Sequence, residues 1–336
     1  PVSTTPKEDA ERVLRPLMRK AFRRKITEPE LRAELEIFEQ KQASGVPFHT
    51  ALQEAIRSVL CSPNLVLLQE TPGRLDSFAL ASRLSYFLWN SCPDEALLTV
   101  AEKGVLARPD TLHAEVERLL KHPKTSRFED DFTGQWLDLF KINATTPDAK
   151  LYPEFDRGLQ YSAVHETRLF FHEMLTGNRS VLEFVHSDWT FANERLAHLY
   201  DLPDIDGYEL RKISLPASAH RGGLLTQSSI LKVTADGTKT SPILRGKWIC
   251  ERLLGVHPQP PPDDVPKIDP DIRGATTIRQ QLERHRSTEA CAHCHAILDP
   301  PGFALENFDV IGSWRTFYRT SQPSPQRIFI PHSPFK

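Results

Sequence analysis

Methionine and glycine are scarce in this 336-residue chain, with 2 Met and 15 Gly against 27 Pro. So few glycines argue against a turn-rich β fold, and the prolines favour helices joined by stiff connectors. Neither sign of charge is in excess: 42 Lys and Arg stand against 44 Asp and Glu, a formal net charge of −2. A general nucleic-acid binder would need a basic surplus. No apolar run approaches the roughly 18–20 residues of a membrane span. The opening Pro-Val-Ser-Thr-Thr-Pro has neither the basic nor the apolar stretch of an export signal. The chain therefore reads either as a mature or trimmed form or as a cytoplasmic protein. Its length suggests about two domains at roughly 150 residues each.

What is present is helical periodicity. Val13, Leu14, Leu17, Met18 and Phe22 recur at helical spacing, with the basic run Arg19, Lys20, Arg23, Arg24 and Lys25 beside them. That run is expected to be a solvated helix face, or else a dock for an acidic partner. Thr27 and Glu30 have the spacing of a capping box opening a helix over 28–42. Further helices are expected over 48–60, 75–89, 93–101, 111–120, 126–140, 154–175 and 191–200. Residues 222–242 read as a polar connection into a helix over 243–254. Residues 255–270, with six prolines, should form an extended strap, followed by a short helix over 276–286. The fold class is mainly α, as helical bundle domains followed by a small C-terminal module. The divisions expected are 1–71, 72–242 and 243–320, with a tail over 321–336.

Cys291-Ala292-His293-Cys294-His295 is a C-x-x-C-H motif, the pattern of a c-type haem attachment site. Two thiols on one helical turn can each add to a haem vinyl group, and the adjoining His295 can bind the iron. Zinc would want a second Cys/His pair, and Cys61, Cys92 and Cys250 stand apart. A thioredoxin-like site would want a βαβ context. Asp299-Pro300-Pro301 is expected to be a stiff turn. Phe303, Phe308, Trp314, Phe317 and Tyr318 suit a haem edge or a plain core, and Arg315 and Arg319 suit propionates or solvent.

RGKWICERLLG from Arg245, the proline strap, IRQQLERHR, CAHCH and DPPGFALENFDVIGSWR together resemble the cytochrome-c-like module of large planctomycete-type multidomain proteins. The resemblance extends upstream through LASRLSYFLWNSCPDEALL, FTGQWLDL, DWTFANERLAHLYDLP and TSPILRGKW, and covers about residues 8–319. It implies a periplasmic or secreted haem protein, and it names an architecture and a cofactor rather than a reaction. Two stretches depart from the pattern: the tail over 320–336, and the loop over 234–242, where relatives are expected to carry Asn-Pro and Arg.

The role of one covalent haem c would turn on the sixth ligand of its iron. Met174 is one candidate. His285, which the resemblance also places before an Arg, is the other, with a helix cap or propionate contact as its alternative. His257 and His332 remain open, and His293 should point away from the iron. The leading expectation is a c-type cytochrome that exchanges electrons with a redox partner protein, free or within a larger complex. The alternatives are a haem enzyme with an open sixth position, peroxidase-like or acting on a small substrate, and a haem-braced structural subunit. His165-Glu166 and His172-Glu173, seven residues apart, could pair on a metal, though a polar stripe is the ordinary reading. In the oxidising compartment that haem attachment implies, Cys61 and Cys92 are expected to pair, leaving Cys250 free.

Overall fold

A computed structural model describes residues 4–68, 70, 72–258 and 289–319, and their side chains except those of 289–294. Among these residues the protein is mainly α, with one two-stranded ribbon. The chain divides into two compact units, Pro1–Phe128 and Glu129–Lys336.

In the first unit, α1 (Pro6–Phe22), α2 (Glu28–Ala43) and α3 (Phe48–Cys61) bury Leu14, Met18, Leu31, Phe38, Ala55 and Val59 in one core, beside the single turn α4 (Pro63–Val66). The capping box forms as its spacing predicts: Thr27 accepts from the Glu30 amide while Glu30 accepts from the Thr27 amide. A second core, around Trp89, Leu97, Leu106 and Leu119, joins α5 (Ser77–Trp89), α6 (Glu95–Glu102) and α7 (Pro109–Leu120). The basic run is not a uniform solvated face. Arg23 is buried and donates to the carbonyls of Ala21, Asn64, Leu65 and Leu67, Arg24 pairs with Glu30, and Arg19 pairs with Glu95 and Glu102. The expected Cys61–Cys92 disulfide is absent: Cys61 is an exposed free thiol, and Cys92 Sγ lies 3.3 Å from the Tyr86 hydroxyl.

The helix α8 (Ser126–Trp136) runs from the first unit into the second. It stops at Trp136 rather than at 140, because Leu139–Asn143 tightens into a 3₁₀ turn. The backbone of the second unit is α9 (Arg157–Thr176), capped by Asp156, whose carboxylate accepts from the Leu159 amide. Against α9 lie α10 (Glu194–Tyr200), α11 (Ser228–Val233) and an antiparallel ribbon of β1 (Trp189–Ala192) and β2 (Arg211–Ser214), which pairs Trp189 with Ser214. Phe191, expected in a helix, is therefore in a strand.

The expected polar connection over 222–242 instead contains α11, with Gln227, Ser228, Ser229 and Lys232 buried. Most of their side-chain polar atoms are matched internally, Gln227 Nε2 being the exception. Thr167 bonds Gln227 and Ser229, the Ser228 hydroxyl donates to the Ile311 carbonyl, and the Lys232 ammonium donates to the Ile142 and Thr145 carbonyls. Glycine is required at 223, where φ is +68° and a Cβ would stand 2.6 Å from the Phe184 carbonyl oxygen.

Among the described residues the last two helices are α12 (Pro242–Arg252) and α13 (Glu289–Ala304). They cross with almost no space between their backbones: a Cβ on Gly246 would lie 1.9 Å from the Leu298 carbonyl oxygen, and one on Gly302 would lie 1.8 Å from that of Pro242.

Candidate functional site

The C-x-x-C-H motif lies wholly within α13. In a helix, positions three and four apart share a face, so the backbone positions 291, 294 and 295 fall together. The side chains of Cys291, His293 and Cys294, the strap beyond Pro258, the helix expected over 276–286 with His285, and the tail with His332 lie outside the described residues.

His295 is described, and it is 7% exposed. Its Nδ1 lies 2.9 Å from Oδ1 of Asp299, one turn further along α13, and Asp299 is 2% exposed. With Nδ1 engaged by the carboxylate, a metal bond from this ring would run through Nε2, and Nδ1 would then carry the proton and donate to Asp299. Asp299-Pro300-Pro301 is not the expected turn: α13 continues through both prolines to Ala304. The prolines supply no amide to the carbonyls of Ala296 and Ile297, and the thiol of Cys250 lies 4.0 Å from the latter.

The segment after α13 is clamped from several sides. Arg245, fully buried on α12, donates Nη1 to the carbonyls of Leu305 and Phe308, both at 2.7 Å, and Nη2 to that of Asp309 at 2.8 Å. Burial lowers its pKa to about 10. Glu306 Oε1 accepts from Thr240, Arg315 and Tyr318 at 3.0, 2.9 and 3.0 Å. The Asp309 carboxylate accepts from the Ile311 and Ser313 amides and pairs with Arg319 at 3.1 Å, while burial raises its pKa.

Arg315 is thus buried with its charge matched by Glu306, and Arg319 also pairs with Glu154. Phe303 packs with Ile243 and Tyr318, and Trp314 stacks on His220 with ring centroids 4.3 Å apart. Met174 is buried in the core that includes Phe170, Trp189, Leu305 and Phe308. His257 is exposed.

The two His-Glu pairs on α9 do not converge. His165 stacks on Tyr161, His172 bonds Glu129 at 2.8 Å, and Glu173 pairs with Lys212 and Arg179. No group of three or more potential ligands that could hold a metal occurs among the described residues. Glu166 is buried, with Oε1 accepting from Thr190 at 2.7 Å and Oε2 from the Tyr200 hydroxyl at 2.6 Å. Burial raises its pKa to about 7. The guanidinium of Arg221 stacks 3.5 Å from the centroid of the Tyr200 ring.

Sequence reasoning passed over Asp299 as a partner for His295, although the four-residue spacing was there to read. It also passed over Arg245, Glu306 and the Glu166–Tyr200 pair. Their partners are distant in sequence, and only the i+4 spacing at Asp299 was a local signal.

Three family profiles match. PSD5, a protein of unknown function (DUF1595), covers residues 9–70. PSD4, a protein of unknown function (DUF1592), covers 75–202. PSCyt3, a protein of unknown function (DUF1588), covers 221–318. The chain belongs to the planctomycete-type multidomain family. The name of its PSCyt3 domain hints at a cytochrome-like module, and that domain contains α12, α13, His295 and Asp299. No curated protein and no solved structure matches the chain. No helix among the described residues is long and apolar enough to cross a membrane.

Proposed function

We propose that this protein is a c-type cytochrome with one covalent haem, which exchanges electrons with a redox partner protein in the periplasm or outside the cell. Cys291 and Cys294 would hold the haem and His295 would bind its iron through Nε2. When bound, the haem supplies a one-electron ferric/ferrous couple.

The observation that carries this reading is the buried His295–Asp299 hydrogen bond inside the C-x-x-C-H helix. A carboxylate on the second ring nitrogen fixes both tautomer and ring orientation, as second-shell partners of metal-bound histidines generally do. The helical backbone supports the same reading, because it puts positions 291, 294 and 295 on one face. The location follows from chemistry: attachment of haem to such a motif by the usual maturation route takes place outside the bacterial cytoplasmic membrane. For the sixth position, Met174 and His285 remain the candidates. Phe303 and Arg315 belong to the same segment and would brace the haem side of the module.

The same hydrogen bond favours a second reading, a haem enzyme with a displaceable sixth ligand, because stronger donation from His295 suits ligand chemistry at the opposite face.

The test is a pyridine haemochrome spectrum and an intact mass on protein matured by a host competent in haem attachment. The expected result is one haem that resists acid-acetone extraction, and that is lost when Cys291 and Cys294 are both replaced by Ala. Full release of colour, or a mass without the added group, overturns the proposal. Low-spin bands indifferent to cyanide and carbon monoxide favour electron transfer; high-spin bands that shift with them favour the enzyme.

A further inference from the structure

We infer that Asp299 is a positioning residue whose carboxylate, through the His295 ring, lowers the reduction potential of the haem. The inference rests on the reading above and names what sets the potential of that site.

Asp299 is badly placed for any purpose within its own helix. Aspartate is a poor helix former. This one stands near the C-terminal end of α13, where the helix dipole disfavours a negative charge. It also precedes Pro300, which disfavours helical backbone at the residue before it. Its side chain is 3% exposed, so folding strips the carboxyl group of water. What it gains is His295: Oδ1 lies 2.9 Å from Nδ1, one helical turn away, with the ring itself 7% exposed. A helix C-terminus that accepts these penalties in order to bury a carboxylate against an imidazole is explained by the imidazole.

The electrostatic consequence has a definite sign. A carboxylate that accepts from Nδ1–H places negative charge against the ring, in surroundings where water screens little. The ring then donates more strongly through Nε2. Stronger donation stabilises the more positive ferric iron relative to the ferrous form, so the potential falls compared with a ring bonded to a neutral acceptor.

The experiment is redox titration of the holoprotein and of Asp299→Asn, which keeps the size and hydrogen-bonding capacity but removes the charge. Haem attachment in each is checked by haemochrome and intact mass. The expected result is an intact covalent haem in both, with the potential of Asp299→Asn raised by about a tenfold change in the ferric-to-ferrous ratio, or about 59 mV for one electron. Asp299→Glu should recover part of the lower potential. An unchanged potential in Asp299→Asn with haem attached overturns the inference and leaves the cytochrome reading standing. Wild-type protein without covalent haem overturns both. If Asp299→Asn does not fold, the paramagnetically shifted proton resonances of the His295 ring in the ferric wild type decide. Shifts typical of a carboxylate-bonded imidazole support the inference, and shifts typical of a carbonyl-bonded one overturn it.

Discussion

Gly246 and Leu298 touch backbone to backbone: the position a methyl group would take on the glycine is 1.9 Å from the leucine carbonyl oxygen. Gly302 meets Pro242 in the same way from the opposite helix. These two glycines set how closely α12 approaches α13, and so how the helix bearing His295 is held. Because each obstacle is backbone, no side chain can swing aside. Gly246→Ala and Gly302→Ala should each cost about 3 kcal/mol, the upper end of ordinary overpacking. That lowers the melting temperature of the second unit by roughly 10 °C. Both substitutions push apart the same helix pair, so the double variant should cost less than the sum. Thermal unfolding followed by circular dichroism measures this; a loss within about 0.5 kcal/mol for either single variant contradicts it.

Arg245 gives the second prediction. Its fork reaches three carbonyls, of Leu305, Phe308 and Asp309, of which those of Leu305 and Asp309 also accept from the Phe308 and Gly312 amides. Arg245→Met would leave them buried without those donors, at a cost of about 3–5 kcal/mol. Arg245→Lys keeps a charge, but a single ammonium cannot span the three acceptors, so about half the loss should remain. Urea denaturation with an unchanged m-value is the measurement.

The thiols give the third. With Cys61, Cys92 and Cys250 all free and Cys291 and Cys294 in the proposed thioethers, the denatured, unreduced holoprotein should show three reactive thiols. In the native state exposed Cys61 should react first. Cys250 should be slow, because it is buried and burial raises its pKa. A count of one free thiol after denaturation would restore the Cys61–Cys92 pairing.

Helices with an apolar stripe were legible from the sequence, and α2 was legible to its cap because Thr27 and Glu30 announce it. The motif was legible too, since C-x-x-C-H is local. What could not be read is polar and distant. Gln227, Ser228, Ser229 and Lys232 look like a solvent-facing connection because burial of polar groups depends on partners tens of residues away, such as Thr167, Ile142 and Ile311. Trp189–Ala192 is four residues long, too short for alternation to outvote the helical pattern that follows it. Arg245 reads as one charge on an amphipathic helix, because its acceptors are backbone carbonyls 60 and more residues away and backbone carbonyls leave no trace in composition.

The last prediction concerns pH. Glu166 is enclosed by Thr190 and Tyr200, and burial raises its pKa to about 7 against an ordinary 4.5 despite both hydrogen bonds and the nearby Arg221. A carboxyl group raised on folding binds more protons folded than unfolded between those two values, so there stability falls as pH rises. Its contribution is fully present below about pH 4.5 and gone above about pH 7, a span on the order of 3 kcal/mol. Carboxylates lowered by partners, such as Glu30 beside Arg24, act in the opposite direction, so the wild-type profile alone mixes both. The informative quantity is the difference between wild type and Glu166→Gln, measured by urea unfolding from pH 4.5 to 8. The variant cannot ionise at 166, and its amide nitrogen cannot accept from both hydroxyls, so it should be less stable than wild type at pH 4.5. The gap should narrow as the pH rises from about 4.5 to about 7, above which the wild type holds a buried charge. A gap that is constant across this range would mean that Glu166 titrates at its ordinary value and that its enclosure does not govern its charge.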